Sequence, residues 1–175
     1  QTPTPMTRAD MDRVRDEFVV ATRRAIDCGF DMVELHAAHG YLLSAFLSPR
    51  ANIRTDEWGG ALESRARMLI EIVKRARVAL SADYPISVKL NSADFQKGGF
   101  AFEESVIVAG WLQNNGVDLI EISGGSYEQP KMMDMAGLEP GEEPAVTAST
   151  AAREAYFVDF AKTIKASVSV PMMVT

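Results

Sequence analysis

The sequence repeats itself, and the repeat limits what it can fold into. Gly29-Phe30-Asp31-Met32-Val33-Glu34-Leu35 recurs as Gly116-Val117-Asp118-Leu119-Ile120-Glu121-Ile122, 87 residues further on. Pro85-Ile86-Ser87-Val88 recurs as Pro171-Met172-Met173-Val174, 86 residues further on. Two different apolar runs therefore return as a pair. Self-similarity at a fixed period marks an architecture built from one repeated supersecondary unit. Doubly wound sheets rarely keep such regularity, whereas a (β/α)8 barrel is made of it.

The segments between the repeats have helical periodicity. Thr7 to Asp10 resembles a capping box with Asp in place of Glu, and Met11, Val14, Phe18, Ala21 and Ala25 then recur at helical spacing up to Gly29. Met32 to His36 reads as a strand, and Leu62 to about Leu80 as a helix with Leu69, Ile72, Val73 and Ala76 on one face. Strand Ile86 to Leu90, helix Glu103 to Asn115 and strand Leu119 to Ser123 follow. A last helix spans about Arg153 to Ala166, before a strand at Met172 to Thr175. Strands alternating with helices predict a parallel α/β sheet. The expected fold class is a (β/α)8 TIM barrel, of which this chain covers about four consecutive strand–helix units. Residues 1–175 then form one partial domain, expected to be truncated before the C-terminal units whose loops often hold phosphate.

Strand alternation separates two faces. Val33, Leu35, Val88, Leu90, Ile120 and Ile122 face the helices. Glu34, His36, Ser87, Lys89, Glu121, Ser123, Met173 and Thr175 face the barrel interior. A charged interior costs several kcal/mol unless it is paired or occupied by a polar ligand. The pattern therefore predicts a bound group near His36 and Lys89.

Composition narrows the function classes. A net charge of -6 without a dense Lys/Arg cluster argues against a nucleic-acid surface. No apolar run reaches the ~18 residues of a membrane span, and no signal peptide opens the chain, so the expected location is cytoplasmic. The single Cys28, just before Gly29, excludes a disulfide framework or a multi-cysteine metal site within these residues and reads as a small buried thiol.

The chain's only two histidines, His36 and His39, stand three residues apart at the end of the first strand, with Tyr41 two positions on. Two imidazoles and a phenol there can donate several hydrogen bonds to one small polar group. Such a cluster is a substrate clamp with a proton donor beside it.

Three blocks carry a family resemblance: Val33-Glu34-Leu35-His36-Ala37-Ala38-His39-Gly40-Tyr41-Leu42-Leu43-Ser44-Ala45-Phe46-Leu47-Ser48-Pro49, then Asn52 to Arg65 with its Trp58-Gly59-Gly60, then Val117 to Gly125. Together they resemble the old yellow enzyme family of FMN-dependent oxidoreductases, from about Thr7 to Thr175. The family pattern has Tyr at the position of Trp58. The resemblance implies FMN as cofactor, NADH or NADPH as reductant, and an activated alkene as the small-molecule substrate. It implies that His36 and His39 hydrogen-bond the substrate's carbonyl or nitro oxygen, and that Tyr41 protonates the α-carbon after hydride reaches the β-carbon. Lys89 falls where most members carry Arg, next to the flavin's pyrimidine edge. A cation there still stabilises the negative charge of reduced flavin, but with different geometry.

Blander readings stand beside these. His36 and His39 could be a zinc pair with Glu34, as in a metal-dependent hydrolase barrel, or could simply pack under a loop; the metal reading is set aside, since no third ligand besides Glu34 lies nearby. Lys89 could be a solvated strand-end charge. Asn52, Arg54, Asp56, Glu57 and Arg65 read as a salt-bridged loop scaffold, and the pairs Gly59-Gly60 and Gly124-Gly125 as turn glycines. The stretch from Ser123 to Thr150 is long for a connection, with Tyr127, Met132 and Met133 as candidate substrate contacts. The whole could also be a non-catalytic half-barrel whose exposed sheet edges drive self-association as a homo-oligomer. A further alternative is the branch of the same family that contains dienoyl-thioester reductases and amine dehydrogenases with an iron–sulfur cluster.

Overall fold

The computed structural model describes residues 4–126 and 157–175. Helix α1 (Arg8–Asp27) leads into strand β1 (Val33–Ala37), short helix α2 (Leu42–Leu47), helix α3 (Leu62–Ala79) and strand β2 (Ile86–Asn91). Helix α4 (Phe102–Asn114), strand β3 (Leu119–Ser123), helix α5 (Val158–Lys165) and strand β4 (Met172–Val174) follow. Among the described residues the strands form one parallel sheet in the order β1-β2-β3-β4. Each strand pairs with the next in sequence, as expected of consecutive units of a barrel wall.

The sequence repeat has a physical basis at its glycines. Gly29 and Gly116 both lie in the left-handed region, at φ 85° and 89°. After α1, the Phe30 amide donates to Ala25 O at 3.1 Å, and after α4 the Val117 amide donates to Leu112 O at 3.1 Å. Both are Schellman closures, which need a residue without the Cβ penalty at the turn. The repeated prolines act at the same end of the sheet, where the strands begin. Pro85 O accepts from Val33 N at 3.3 Å, and Pro171 O accepts from Ile120 N at 3.1 Å. The repeated sequence therefore records how each helix stops and how each strand enters the sheet.

The core lies between the sheet and its helices. Leu35, Val88, Leu90, Ile120 and Ile122 are buried there against Leu69, Ile72 and Val73 of α3, Val108 and Leu112 of α4, and Ile164 of α5. Each such aliphatic side chain contributes about 1.5–3 kcal/mol by leaving water. The face assigned to α3 from its spacing is the buried one, and the capping box at Thr7 forms, with Thr7 N donating to Asp10 Oδ2 at 2.9 Å.

Helix α1 departs from its expected stripe. Met11 is buried, but Ala21 is exposed, and Arg15 and Thr22 are buried instead. The Arg15 guanidinium lies over the Trp58 ring, 5.1 Å from its centroid, and is ion-paired to Asp12 and Glu71. The Thr22 hydroxyl donates back to Phe18 O at 2.8 Å. Both polar groups bring their own partners, which permits burial. Cys28 is exposed rather than buried, because it caps α1 at a turn that projects beyond the core. The residues expected to open the last helix, Arg153 to Tyr156, lie outside the described residues.

Candidate active site

The site is built where β1 ends. After Ala37 the chain turns sharply, with His39 at φ 62° and Gly40 at φ 77°. A histidine in the left-handed region is uncommon and costs of order 1 kcal/mol, so something must hold it. Asn91 does so from the end of β2: its Oδ1 accepts from the His39 amide at 3.1 Å. His39 also forms an isolated parallel bridge with Ser126, just past β3. A Cβ on Gly40 would stand 3.3 Å from Ser126 Cβ, so the approach leaves little room for a side chain. The Gly40 amide donates to Ser44 Oγ at 3.2 Å, and Tyr41 becomes the N-cap of α2.

This turn brings the sequence-predicted cluster together. The His36 and His39 rings stand edge to face with centroids 5.1 Å apart, and the Tyr41 ring is 4.9 Å from His36. Tyr41 remains 45% exposed. His36 Nδ1 accepts from the Ala38 amide at 3.3 Å, which in a neutral ring leaves the proton on Nε2. His39 Nε2 lies 2.7 Å from Ser123 Oγ. Burial, then the positive charge of Lys89, holds His36 below the usual 6.5. Burial, then His36 and Lys89, does the same to His39. Both rings are therefore neutral at physiological pH, each with one N–H.

Beside them lies an ionic floor. Lys89 sits opposite His36 in one register and opposite Glu121 in the other. Its Nζ is 3.0 Å from Glu121 Oε1 and 3.9 Å from Glu34 Oε1. Ser87 Oγ donates to Glu34 at 3.1 Å, and the Thr175 hydroxyl donates to Glu121. Burial pushes Glu34 up, with its hydrogen bond and charge interaction with Glu121 adding to the rise. Burial also acts upward on Glu121, but hydrogen bonds from Thr175 and Lys89 outweigh it and hold it below its usual value. These charges pair with one another across three strands, so part of the cost of the polar interior is met within the protein. Lys89 is likewise part of an ion network rather than a solvated strand-end charge.

Sequence reasoning missed the hub that supports His39. Asn91 Nδ2 donates to Asp94 Oδ1 at 3.1 Å and to Gly125 O at 2.9 Å, while Asp94 Oδ2 accepts from the Phe100 amide at 2.9 Å. Extending the alternation Ser87, Lys89 by one more step points to Asn91. The hydroxyls of Ser92 and Ser126 are buried beside this hub without a hydrogen-bond partner among the described residues.

The loop after α2 is a scaffold, as its residues suggest. Asn52 Nδ2 donates to Phe46 O and Trp58 O, each at 2.8 Å. Arg54 pairs with Asp56, Glu57 with Arg8, and Arg65 with Glu104. A Cβ on Gly59 would fall 2.2 Å from Arg54 O, so only glycine fits that turn. Tyr127, Met132 and Met133 lie outside the described residues. Among the described residues no three His, Cys, Asp or Glu side chains converge as a metal-ligand set, and no helix is long and apolar enough to cross a membrane.

Parallel βα units paired in sequential order, with polar groups gathered at the C-terminal ends of their strands, are the arrangement of the barrel enzymes. Comparison with known proteins narrows the class. The sequence pattern of the NADH:flavin oxidoreductase / NADH oxidase family matches residues 1–164, and the chain belongs to that family. It is 38% identical over 175 residues to the NADH-dependent flavin oxidoreductase iliE of Neonectria sp. (strain DH2), covering 99% of this chain and 22% of that protein. A solved 2-naphthoyl-CoA reductase superposes with a TM-score of 0.81 at 33% identity, over 98% of this chain and 24% of that one. The old yellow enzyme homologue from Zymomonas mobilis superposes with a TM-score of 0.71 at 22% identity, over 97% of this chain and 42% of that one. The fold is thus part of an old yellow enzyme (β/α)8 barrel, and the chain spans less than half the length of each of these proteins.

Proposed function

We propose that residues 1–175 are an FMN-binding part of a (β/α)8 barrel in a cytoplasmic NAD(P)H-dependent oxidoreductase of the old yellow enzyme type. The substrate is a small molecule with an alkene activated by a carbonyl or similar group. The carrying observation is the convergence of His36, His39 and Tyr41 at the C-terminal end of β1, with ring centroids 4.9 to 5.1 Å apart.

The donor set fits a flavin. Lys89 has three N–H groups and, among the described residues, one carboxylate contact at hydrogen-bond distance, Glu121 at 3.0 Å, which suits it to donate also to an acceptor on the cofactor's pyrimidine edge. FMN held at Lys89 would supply the hydride chemistry between NAD(P)H and the β-carbon of the alkene. The chain's own residues do the rest. His36 and His39, neutral and each with one N–H, donate to the substrate oxygen where negative charge develops, and such a donor is typically worth about 2.7–4 kcal/mol in the transition state. Tyr41 holds a phenolic proton for the α-carbon and reaches solvent to be reprotonated.

An absorbance titration of the full-length protein with p-hydroxybenzaldehyde tests this. Flavin bands, joined by a long-wavelength charge-transfer band that disappears in His36→Ala, are the expected result. Full-length protein that takes up no flavin even on reconstitution would overturn the reading.

A second reading concerns the substrate. The 2-naphthoyl-CoA reductase is more similar in sequence than the smaller old yellow enzyme homologue, at 33% against 22% identity. That difference favours the branch acting on unsaturated thioesters with an added iron–sulfur cluster. Iron analysis and activity on an enoyl thioester of the full-length protein separate the two.

A further inference from the structure

We propose that Ser123 is a positioning residue that holds His39 as its Nδ1–H tautomer, so that the two histidines offer opposite ring nitrogens to one substrate oxygen. This rests on the active-site reading above.

The geometry leaves His39 one ring nitrogen for the substrate. Its Nε2 is committed to Ser123 Oγ at 2.7 Å, and Nδ1 is the ring nitrogen that remains. A neutral imidazole carries a single N–H. If that hydrogen lay on Nε2 and pointed at Ser123, Nδ1 would present a lone pair to the substrate oxygen and repel it. If the Ser123 hydroxyl donates instead, Nε2 accepts, the hydrogen moves to Nδ1, and His39 becomes a donor. The hydroxyl's direction therefore decides whether His39 helps or hinders. His36 is set the other way, because its Nδ1 accepts from the Ala38 amide at 3.3 Å and its Nε2 carries the hydrogen.

Ser123 is well placed to act as a fixed support. It is fully buried at the end of β3 and pairs in register with Asn91, whose side chain grips the His39 amide at 3.1 Å. Backbone and ring of His39 are thus tied to the same rung of the sheet. The groups facing the ring are His36, Lys89 and Glu121, and burial, then the charge interactions with His36 and Lys89, holds it below the usual 6.5 and so neutral. A neutral ring is the condition under which a tautomer exists to be chosen.

Histidine-selective 15N labelling of the full-length, FMN-loaded protein reads the tautomers directly, with His36→Ala and His39→Ala assigning the signals. The expected spectrum has His39 protonated at Nδ1 and unprotonated at Nε2, with His36 reversed. Ser123→Ala should mix the His39 tautomers and raise the dissociation constant for p-hydroxybenzaldehyde about 2- to 10-fold, the weight of one neutral hydrogen bond. An Nε2–H His39 in the unmodified protein would overturn the proposal, as would Ser123→Ala with both tautomer and affinity unchanged. A parent protein showing no charge-transfer band with the phenol would instead bring down the active-site reading, and the donor role of His39 with it.

Discussion

Lys89 and Glu121 face each other on neighbouring strands with Nζ 3.0 Å from Oε1, and Glu121 is only 6% exposed. Burial pushes the carboxylate up, but the hydrogen bonds from Thr175 and then from the Lys89 ammonium outweigh it and keep it charged. Removing one partner of a buried pair typically costs about 3–5 kcal/mol, since the other is left uncompensated. Lys89→Met should therefore lower the urea-unfolding stability at neutral pH by about 3 kcal/mol. The deficit should shrink on acidification, as Glu121 takes up a proton and no longer needs a cation. A midpoint equal to the parent's would mean that the ammonium does not hold this carboxylate.

The histidine pair makes stability depend on pH with a definite sign. Both rings are held below the ordinary 6.5, His36 by burial and then Lys89, His39 by burial and then His36 and Lys89. The unfolded chain therefore binds protons first as the pH falls. The stability tied to the neutral rings is complete above 6.5 and is lost as the pH drops through the lower folded values. Glu34 runs the opposite way. Its raised folded value keeps a proton that the unfolded chain has released above 4.5, so its share is lost as the pH rises through that value. Replacing both histidines by Asn should flatten the loss of stability between about pH 7 and about pH 5, measured by urea midpoints at each pH. A double variant with the parent's slope would assign the acid sensitivity elsewhere.

These relationships differ in how far the sequence announces them. The barrel units are legible because the repeated glycines and prolines each carry a backbone requirement, at Gly29, Gly116, Pro85 and Pro171. The cluster of His36, His39 and Tyr41 is legible because one turn holds all three. Asn91 and Ser123 are harder to see, since their roles exist only once β2 and β3 lie beside β1 and bring residues more than fifty positions apart into contact. Arg15 reads as a surface residue of an amphipathic helix until Trp58, Asp12 and Glu71 surround it. The six-residue α2 is too short to show a period, and its start depends on the turn at His39 and Gly40.

Asn52 holds the scaffold that follows α2. Its amide nitrogen bridges Phe46 O and Trp58 O at 2.8 Å each, in a buried position. Asn52→Ala would leave both carbonyls short of this donor where water has little access, at about 1–3 kcal/mol per unsatisfied group. Thermal unfolding should show a loss in that range, and Asn52→Asp should do no better, because a carboxylate offers no N–H. A loss of only a few tenths of a kcal/mol would mean that water replaces the amide.

Tyr41 separates the two halves of the proposed reaction. Its ring touches His36 and stays 45% exposed, so Tyr41→Phe keeps the packing while removing only the hydroxyl. Reaction with NAD(P)H requires no proton from this position and should proceed at the parent's rate. Reaction with an activated alkene requires a proton at the α-carbon and should slow by about 10²- to 10⁴-fold, the usual worth of a positioned acid. Rapid-mixing absorbance, following each half separately in the full-length protein, distinguishes the two rates. Equal slowing of both halves would mean that Tyr41 shapes the pocket. A parent-like alkene reaction would assign the proton to solvent or to another residue, and Tyr41 would then be a packing partner of His36 alone.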